Sequence, residues 1–453
     1  MSASRFQISP GYSDTALIKD QNFSTMFPTV VPPSSQYNTV RVGPAGQRQN
    51  VEFRADNATY TYANTKMTIP VQSKGILDFT DAYLEFSASC TSSIAGAAYF
   101  TDGIWNIFNR IRVISGSTVV FDQLNKNVFR SMQWAMCRNS DTDATLGAAC
   151  WGINTIANRQ TAAAGLNYAI PLDIALLADI EIPFANIANV HIEFYFENPN
   201  SCVCVGASGA TNVSYTVNNP RIRCKEVFYQ SDLQHDITAM SPLFFPYTNY
   251  KPFQFQIPAN SNTNQFNIPV KIQGVKRIIA IMRNSADLAN PAVSDVFVSE
   301  FNYNGTLQYQ GKIDNTYFPP APIKTSYTGP NDLIGYQEGY LSALHSFDRY
   351  ETAGMPDARR NNGEPDLYSI SDWQVTPAGF TSTFFSMCLD LKTFEYHGDS
   401  MLSKFDTTPG NTTVQLNMTM SGTFPTQTQT LYVFVVCSSL GVLQSDGKFF
   451  MIE

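Results

Sequence analysis

Four histidines, eight cysteines and scattered carboxylates are the groups in this 453-residue chain that could do chemistry. Nucleophilic catalysis needs a base beside Ser or Cys, so His191, His235, His345 and His397 are the limiting set. His191 alternates outward on an expected strand, His235 lies in a connector and His345 on an expected helix; all three read as structural or exposed. His397 stands in EYHGDS with Glu395 and Asp399, a cluster that a turn between strands explains as well as an acid–base site does. Cys202-Val203-Cys204 is the one close thiol pair. On a strand both thiols would face one side, but without a second pair or a nearby His they read as buried or loop thiols, not zinc ligands. Glu193 and Glu197 flank Tyr195 on one face of an expected strand, which suits a sugar groove and equally any solvent-facing strand. Residues 357–364 (DARRNNGE) have the wrong order for a calcium loop, and neither GxxxxGK nor a post-strand GxGxxG occurs. Six NxS/T sequons (Asn22, Asn57, Asn212, Asn304, Asn411, Asn417) read as Asn/Thr-rich composition. No catalytic, cofactor-binding or metal-binding residue is assigned, and no cofactor is implied.

The elements that must position these groups are strands. Ala82, Leu84, Phe86, Ala88 and Cys90 alternate with polar residues, as do Val190, Ile192, Phe194 and Phe196. Later, Phe253, Phe255 and Ile257, then Phe266, Ile268 and Val270, then Val414, Leu416, Met418 and Met420 follow the same period of two. Ile278 to Met282 and Leu431 to Cys437 are apolar on both faces and are expected deep between layers. A helical period appears at Leu124, Val128, Met132 and Ala135/Met136, and again at Tyr340, Leu341, Leu344 and Phe347. The halves echo each other: Ile111 to Asp122 reads as strand, Ser115-Gly116 turn and strand, and Phe297 to Gln310 as strand, Asn304-Gly305 turn and strand. Between them SDLQHDITAMSPLFFPY forms a connector.

Composition narrows the class. Charged residues are 15% against a usual ~25%, and 32 Phe and 22 Tyr stand against 29 Lys plus Arg, which excludes disorder and coiled coil. A net charge of −8 and a pI near 5.1 provide no basic field for coating phosphate backbone, so no sequence-specific nucleic-acid binding is expected. Thinly spread cysteines point to a reducing compartment. The N-terminus lacks an apolar signal core and no apolar run approaches a spanning length, so neither secretion nor membrane insertion is expected. Residues 1 to 55, with Pro28, Pro32, Pro33 and Pro44 and a charge of only +2, read as an extended arm.

Ile69 to Cys90 (IPVQSKGILDFTDAYLEFSASC), Asn106 to Asp122 (NIFNRIRVISGSTVVFD), Pro246 to Met282 and Val296 to Tyr309 resemble, in order and spacing, the opening phrases of the two sandwiches in double jelly-roll major capsid proteins of double-stranded DNA viruses. The likeness is to those of polinton-like viruses, adintoviruses and virophages, and spans residues 56 to 453. It departs from the usual Asn-Gly in having Ser115-Gly116 in the first roll. The resemblance implies an all-β chain of two consecutive eight-stranded jelly rolls with a few short helices in loops: an arm at 1–55, a first roll with connector at 56–240 and a second roll at 241–453. It further implies a homotrimeric, pseudo-hexagonal capsomer that tiles an icosahedral virion, made in the host cytoplasm or nucleus. Its partners would be itself, neighbouring capsomers and minor capsid or penton proteins, with contact to an internal membrane or the genome. The arm is expected to order on assembly, and the loops Pro319 to Leu333 and Gly354 to Asp366 to lie on the outer or lateral surface. A jelly-roll carbohydrate-binding protein or glycosidase is the alternative. A single-jelly-roll RNA-virus coat is disfavoured by the near-neutral arm.

Overall fold

The computed structural model describes residues 46–94, 97–100, 104–137, 165–177, 181–183, 187, 189–205, 212–229, 242–288, 305–325, 339, 342–343, 385–391, 406–408, 412–422, 424–444 and 447–452. Among them the strands are β1 (Gly46–Arg54), β2 (Thr59–Thr61), β3 (Lys66–Val71), β4 (Ile76–Thr91), β5 (Ala98–Phe100), β6 (Phe108–Ser115), β7 (Thr118–Gln123), β8 (Leu166–Pro171), β9 (Glu181–Pro183), β10 (Val190–Phe196), β11 (Val203–Val205) and β12 (Ser214–Tyr229). They continue as β13 (Leu243–Ile257), β14 (Thr263–Ile268), β15 (Val275–Asn284), β16 (Thr306–Ile313), β17 (Thr316–Lys324), β18 (Met387–Asp390), β19 (Val414–Met420), β20 (Gln429–Leu443) and β21 (Phe449–Ile452). Helices α1 (Lys126–Cys137) and α2 (Pro199–Cys202) interrupt them.

The connectivity identifies the architecture. One sheet runs β1-β12-β4-β8 and faces another running β3-β10-β6-β7. Numbering these eight strands along the chain turns the orders into 1-8-3-6 and 2-7-4-5, the wrapping of a jelly roll. The second set repeats it without change, as β13-β20-β15-β18 and β14-β19-β16-β17. Strand β2 and strand β21 extend the first and second roll at β12 and β20, β9 pairs with β4, and β5 with β11.

Alternation explains the strands. In β4 the set Ala82, Leu84, Phe86, Ala88 and Cys90 is buried, as are Val414, Leu416, Met418 and Met420 in β19. Strands β15 and β20 are buried on both faces, the expected pattern of their apolar runs. The hairpin β6–β7 turns on Gly116 at φ +59°, a left-handed conformation that glycine adopts without strain.

Five expectations need correction. Strand β1 occupies nine residues of the stretch expected as an arm and pairs with β12 throughout; only Val51 and Phe53 alternate there, too short a pattern to stand out. Leu124 precedes α1 and is exposed rather than on its buried stripe. Pro319 to Lys324, expected in a loop, belongs to edge strand β17, where missing N–H groups cost no ladder bond. The fourth is the internal echo. Val190 of β10 and Val414 of β19 end their ladders opposite Ser115 and Ile313, so the registers equate hairpin β6–β7 with β16–β17 and not with Phe297 to Gln310. The fifth is the connector, whose last residues, Leu243 to Tyr247, are the start of strand β13 and pair with β20. The strand expected at 297–303, the second helical pattern, connector residues 231–241 and residues 1–45 lie outside the described residues.

Candidate functional site

The two rolls meet along a seam built by α1. Its first turn follows Asn125, which sits at φ +54° and turns the chain out of the β6–β7 hairpin toward the second roll. The Phe129 ring then stacks on Tyr250 at 4.1 Å and meets Phe434 edge-on at 5.1 Å. Val128 and Met132 are buried in the core of the second roll, while Phe245, Tyr247, Leu443 and Phe449 of the second roll are buried in that of the first. A polar relay crosses the seam. Asp173 Oδ2 lies 3.0 Å from Lys126 Nζ and 3.2 Å from Arg130 Nη1; Lys126 also donates to Gln123 Oε1 at 2.9 Å, and Gln123 donates to Asn249 Oδ1 at 3.2 Å. Burial pushes the Lys126 ammonium below its ordinary value. Burial also pushes Asp173 up, but the Lys126 and Arg130 charges outweigh it and hold the carboxyl well below the usual range. Apolar packing around satisfied charges makes this a permanent contact.

Two other faces are polar lattices. On the outer face of the sheet β1-β12-β4, Arg221 reaches Glu85 at 2.7 Å and Glu52 at 3.2 Å, Arg223 reaches Glu85 at 2.8 Å, and Arg54 reaches Glu52 at 2.6 Å. A hydrogen bond from Arg54 holds the Glu52 carboxyl below its usual range, and one from Arg221 does the same for Glu85. A cleft of about 430 Å³ opens beside this lattice, lined by Arg54, Glu85, Asn167, Asn219 and Arg221, where β12 bulges between Asn218 and Arg221. On the sheet β3-β10-β6-β7, Tyr195 donates to Glu193 at 2.9 Å and accepts from Arg112 at 3.1 Å, with Arg110 over its ring at 5.5 Å. Each carboxylate of these lattices is already engaged by a cation. Such faces can exchange ion pairs with another surface but present no unengaged base.

No family model matches the sequence, and no curated protein does. Solved structures do match. A chain of the Sputnik virophage structure aligns with a TM-score of 0.59 at 12% identity, covering 93% of this chain and 92% of that one. A chain of the PBCV-1 virus capsid aligns at 0.58 and 11% identity, covering 91% and 98%, and the Faustovirus major capsid protein at 0.52 and 8%, covering 92% of each. The chain has the double jelly-roll fold.

Within this double jelly roll, the residues singled out for chemistry scatter. His191 is partly exposed on β10, 3.9 Å from Glu193 Oε1; His235, His345 and His397, and the run 357–364, lie outside the described residues. Glu193 is not solvent-facing as its strand parity suggests: its side chain is 4% exposed because Lys66 from β3 and Arg112 from β6 close over it. Burial pushes that carboxyl up, and the bonds from Lys66 and Tyr195 more than reverse the shift, leaving it low. Glu197 lies beyond the end of β10, bonded to Asn127 Nδ2 at 2.9 Å, and burial raises its carboxyl above the usual range. Cys202 closes α2 and Cys204 sits in β11, both buried and neither in a disulfide; burial pushes Cys202 well above its ordinary value. Among the described residues no group of three or more His, Cys, Asp or Glu gathers to hold a metal ion, and no helix is long and apolar enough to cross a membrane. Phe129 and Asp173, central to the seam, escaped the sequence reading: Phe129 lies beside the Val128/Met132 stripe, and a lone Asp in a loop carries no signal.

Proposed function

We propose that this chain is a major capsid protein whose three copies form a six-roll, pseudo-hexagonal capsomer that tiles an icosahedral virion shell. The observation that carries the reading is the seam: two rolls of identical strand order joined through non-equivalent faces, the hairpin and α1 side of the first against the β13–β20 side of the second. A head-to-tail contact of this kind leaves the complementary face of each roll open, so copies can add until a ring closes. The fold match to capsid chains across 91–93% of the sequence supports it. In this reading the arm is residues 1–45, and its partners are other copies, minor capsid or penton proteins, and an internal membrane or the genome. The chain works in the virion and has no catalytic role.

Light scattering on the purified chain tests it. A mass near three times 50.3 kDa, with hexagonal outlines or closed shells by negative stain, is the expected result. A stable monomer at micromolar concentration overturns the proposal.

A further inference from the structure

The end of the second roll where β13 begins and β20 and β21 finish has two unlike faces. Across these three strands the registers set Phe244, Val442 and Phe450 in one row and Pro246, Leu440 and Ile452 in the next. Residues directly opposite in a ladder share a face, so these six side chains stand together. Their sequence neighbours Leu243, Phe245, Tyr247, Leu443, Phe449 and Met451 point the other way, and all pack against the core of the first roll. None of the first six packs into the core of either roll.

That second face is apolar and open. Phe244 is 57% exposed, more than any other large apolar side chain among the described residues, and Ile452 is 48% exposed. Pro246 is exposed too, Leu440 and Phe450 are half-buried, and Val442 alone is covered. The six side chains hold no charge and no hydrogen-bonding group, so an ion, a phosphate or a sugar hydroxyl finds no side-chain partner among them. A patch on the order of a few hundred Å² is compatible with a soluble free chain and is the size at which apolar patches are often functional. A stable interface covers about 800 Å² per partner, so the patch can be the apolar part of a contact but not the whole of it.

The kind of surface that fits it is shown farther along the same sheet. By strand parity Tyr250 and Val436 lie on the same face of β13 and β20 as Pro246 and Leu440, and there Phe129 of α1 stacks on Tyr250 at 4.1 Å. This face is thus a roll-to-roll interface for part of its length, sealed by apolar side chains of this same sequence. Past Thr248 and Ser438 the patch continues it.

We propose that a second copy of the chain covers this patch in the trimer, laying apolar side chains over Phe244, Leu440, Phe450 and Ile452 as α1 lays Phe129 over Tyr250 within a chain. This rests on the trimer reading and assigns part of its seam.

The test uses the full chain. Phe244→Asp, on an exposed side chain, is expected to reduce the species of three chains by about tenfold or more in favour of monomer at equal concentration, with unchanged circular dichroism. In an Ile452→Cys variant, alkylation at position 452, read by peptide mass spectrometry, is expected to run about tenfold or more slower in the species of three chains than in the monomer obtained by dilution. If the parent chain is trimeric while Phe244→Asp stays trimeric, or while the thiol at position 452 reacts equally fast in both species, the patch is open in the assembly and only this inference falls. A monomeric parent chain overturns the trimer reading and the inference together.

Discussion

Replacing Asp173 with Asn removes the sole carboxylate shown bonded to both Lys126 and Arg130 while keeping its shape. Lys126 has a side chain only 4% exposed and Arg130 one 18% exposed, so neither cation can turn to water without opening the seam. At 3.0 Å and an effective dielectric of ~20, the Lys126 pair alone is worth roughly 5 kcal/mol of Coulomb energy, and stranding one partner of a buried pair typically costs about 3–5 kcal/mol. Asp173 keeps 29% of its side-chain exposure, which screens part of this and puts the expected loss near 3 kcal/mol. With an unfolding entropy of about 2.1 cal/mol/K per residue, a chain this long would melt roughly 3 °C lower. Urea unfolding followed by fluorescence reads the loss directly. Its pH dependence separates charge from shape. Asp173 has a depressed folded value, so its contribution is fully present above its unfolded value near 4 and is lost as pH falls toward the folded one. Lys126 also has a depressed folded value, so the cost of burying its charge is relieved as pH rises toward its ordinary value near 10.5; in Asp173→Asn that relief begins at lower pH. The deficit of the variant should therefore shrink between pH 7 and pH 9.5, and Lys126→Met added to Asp173→Asn should recover most of it. A deficit below about 1 kcal/mol, or one flat across that range, would refute the buried-charge account.

Phe129→Ala should cost about 2–3 kcal/mol by removing the ring stacked on Tyr250, and should separate the unfolding of the two rolls into distinct urea transitions; a single unshifted transition would mean that α1 does not hold the rolls together. Gly274→Ala would place a Cβ 2.9 Å from the Ser438 carbonyl oxygen, so a loss of about 1–3 kcal/mol is expected in thermal melts, against little change for Gly116→Asn at a left-handed turn. Alkylation at pH 8 followed by peptide mass spectrometry should leave Cys90, Cys202, Cys204, Cys224, Cys388 and Cys437 unlabelled until denaturant is added, because all are buried and burial pushes Cys90 and Cys224 up to about 12. Native-state labelling of Cys202 or Cys204 would reopen the question of a thiol site.

Strand parity was the readable part of this chain. Period-two runs such as Ala82 to Cys90 and Val414 to Met420 point the buried set inward because one sheet face meets a core and the other meets water. Parity fails where that premise fails. Glu193 has outward parity but sits under Lys66 and Arg112, contributed by strands more than 70 positions away, and nothing local announces such a lid. β1 carries two apolar residues and draws its stability from a full ladder to β12, a partner some 170 positions distant. Sequence similarity between the hairpins is weak and places the repeat one strand out, whereas the hydrogen-bond registers equate β6–β7 with β16–β17.

On the capsid reading, the difference between the two rolls follows from when each face is covered. The outer face of the β13–β20 sheet carries Tyr250, Phe434 and Val436, and β20 is buried on both faces; that surface is sealed by α1 of the same chain as soon as folding ends. It never meets water in the folded state, so an apolar surface there brings burial without a solubility penalty. The corresponding face of the first roll carries Arg54, Glu52, Arg221, Arg223 and Glu85 in mutual ion pairs. A face that must wait for another molecule has to stay soluble until it does, and charges that satisfy one another achieve this while leaving the sheet free of exposed apolar area. On the capsid reading, the same topological surface is therefore aromatic where its partner is covalently attached and charged where its partner must be met in solution. Raising salt should then weaken contacts between chains far more than the contact between rolls, since ion pairs on a wet face are screened within about 10 Å at 0.1 M and packed rings are not.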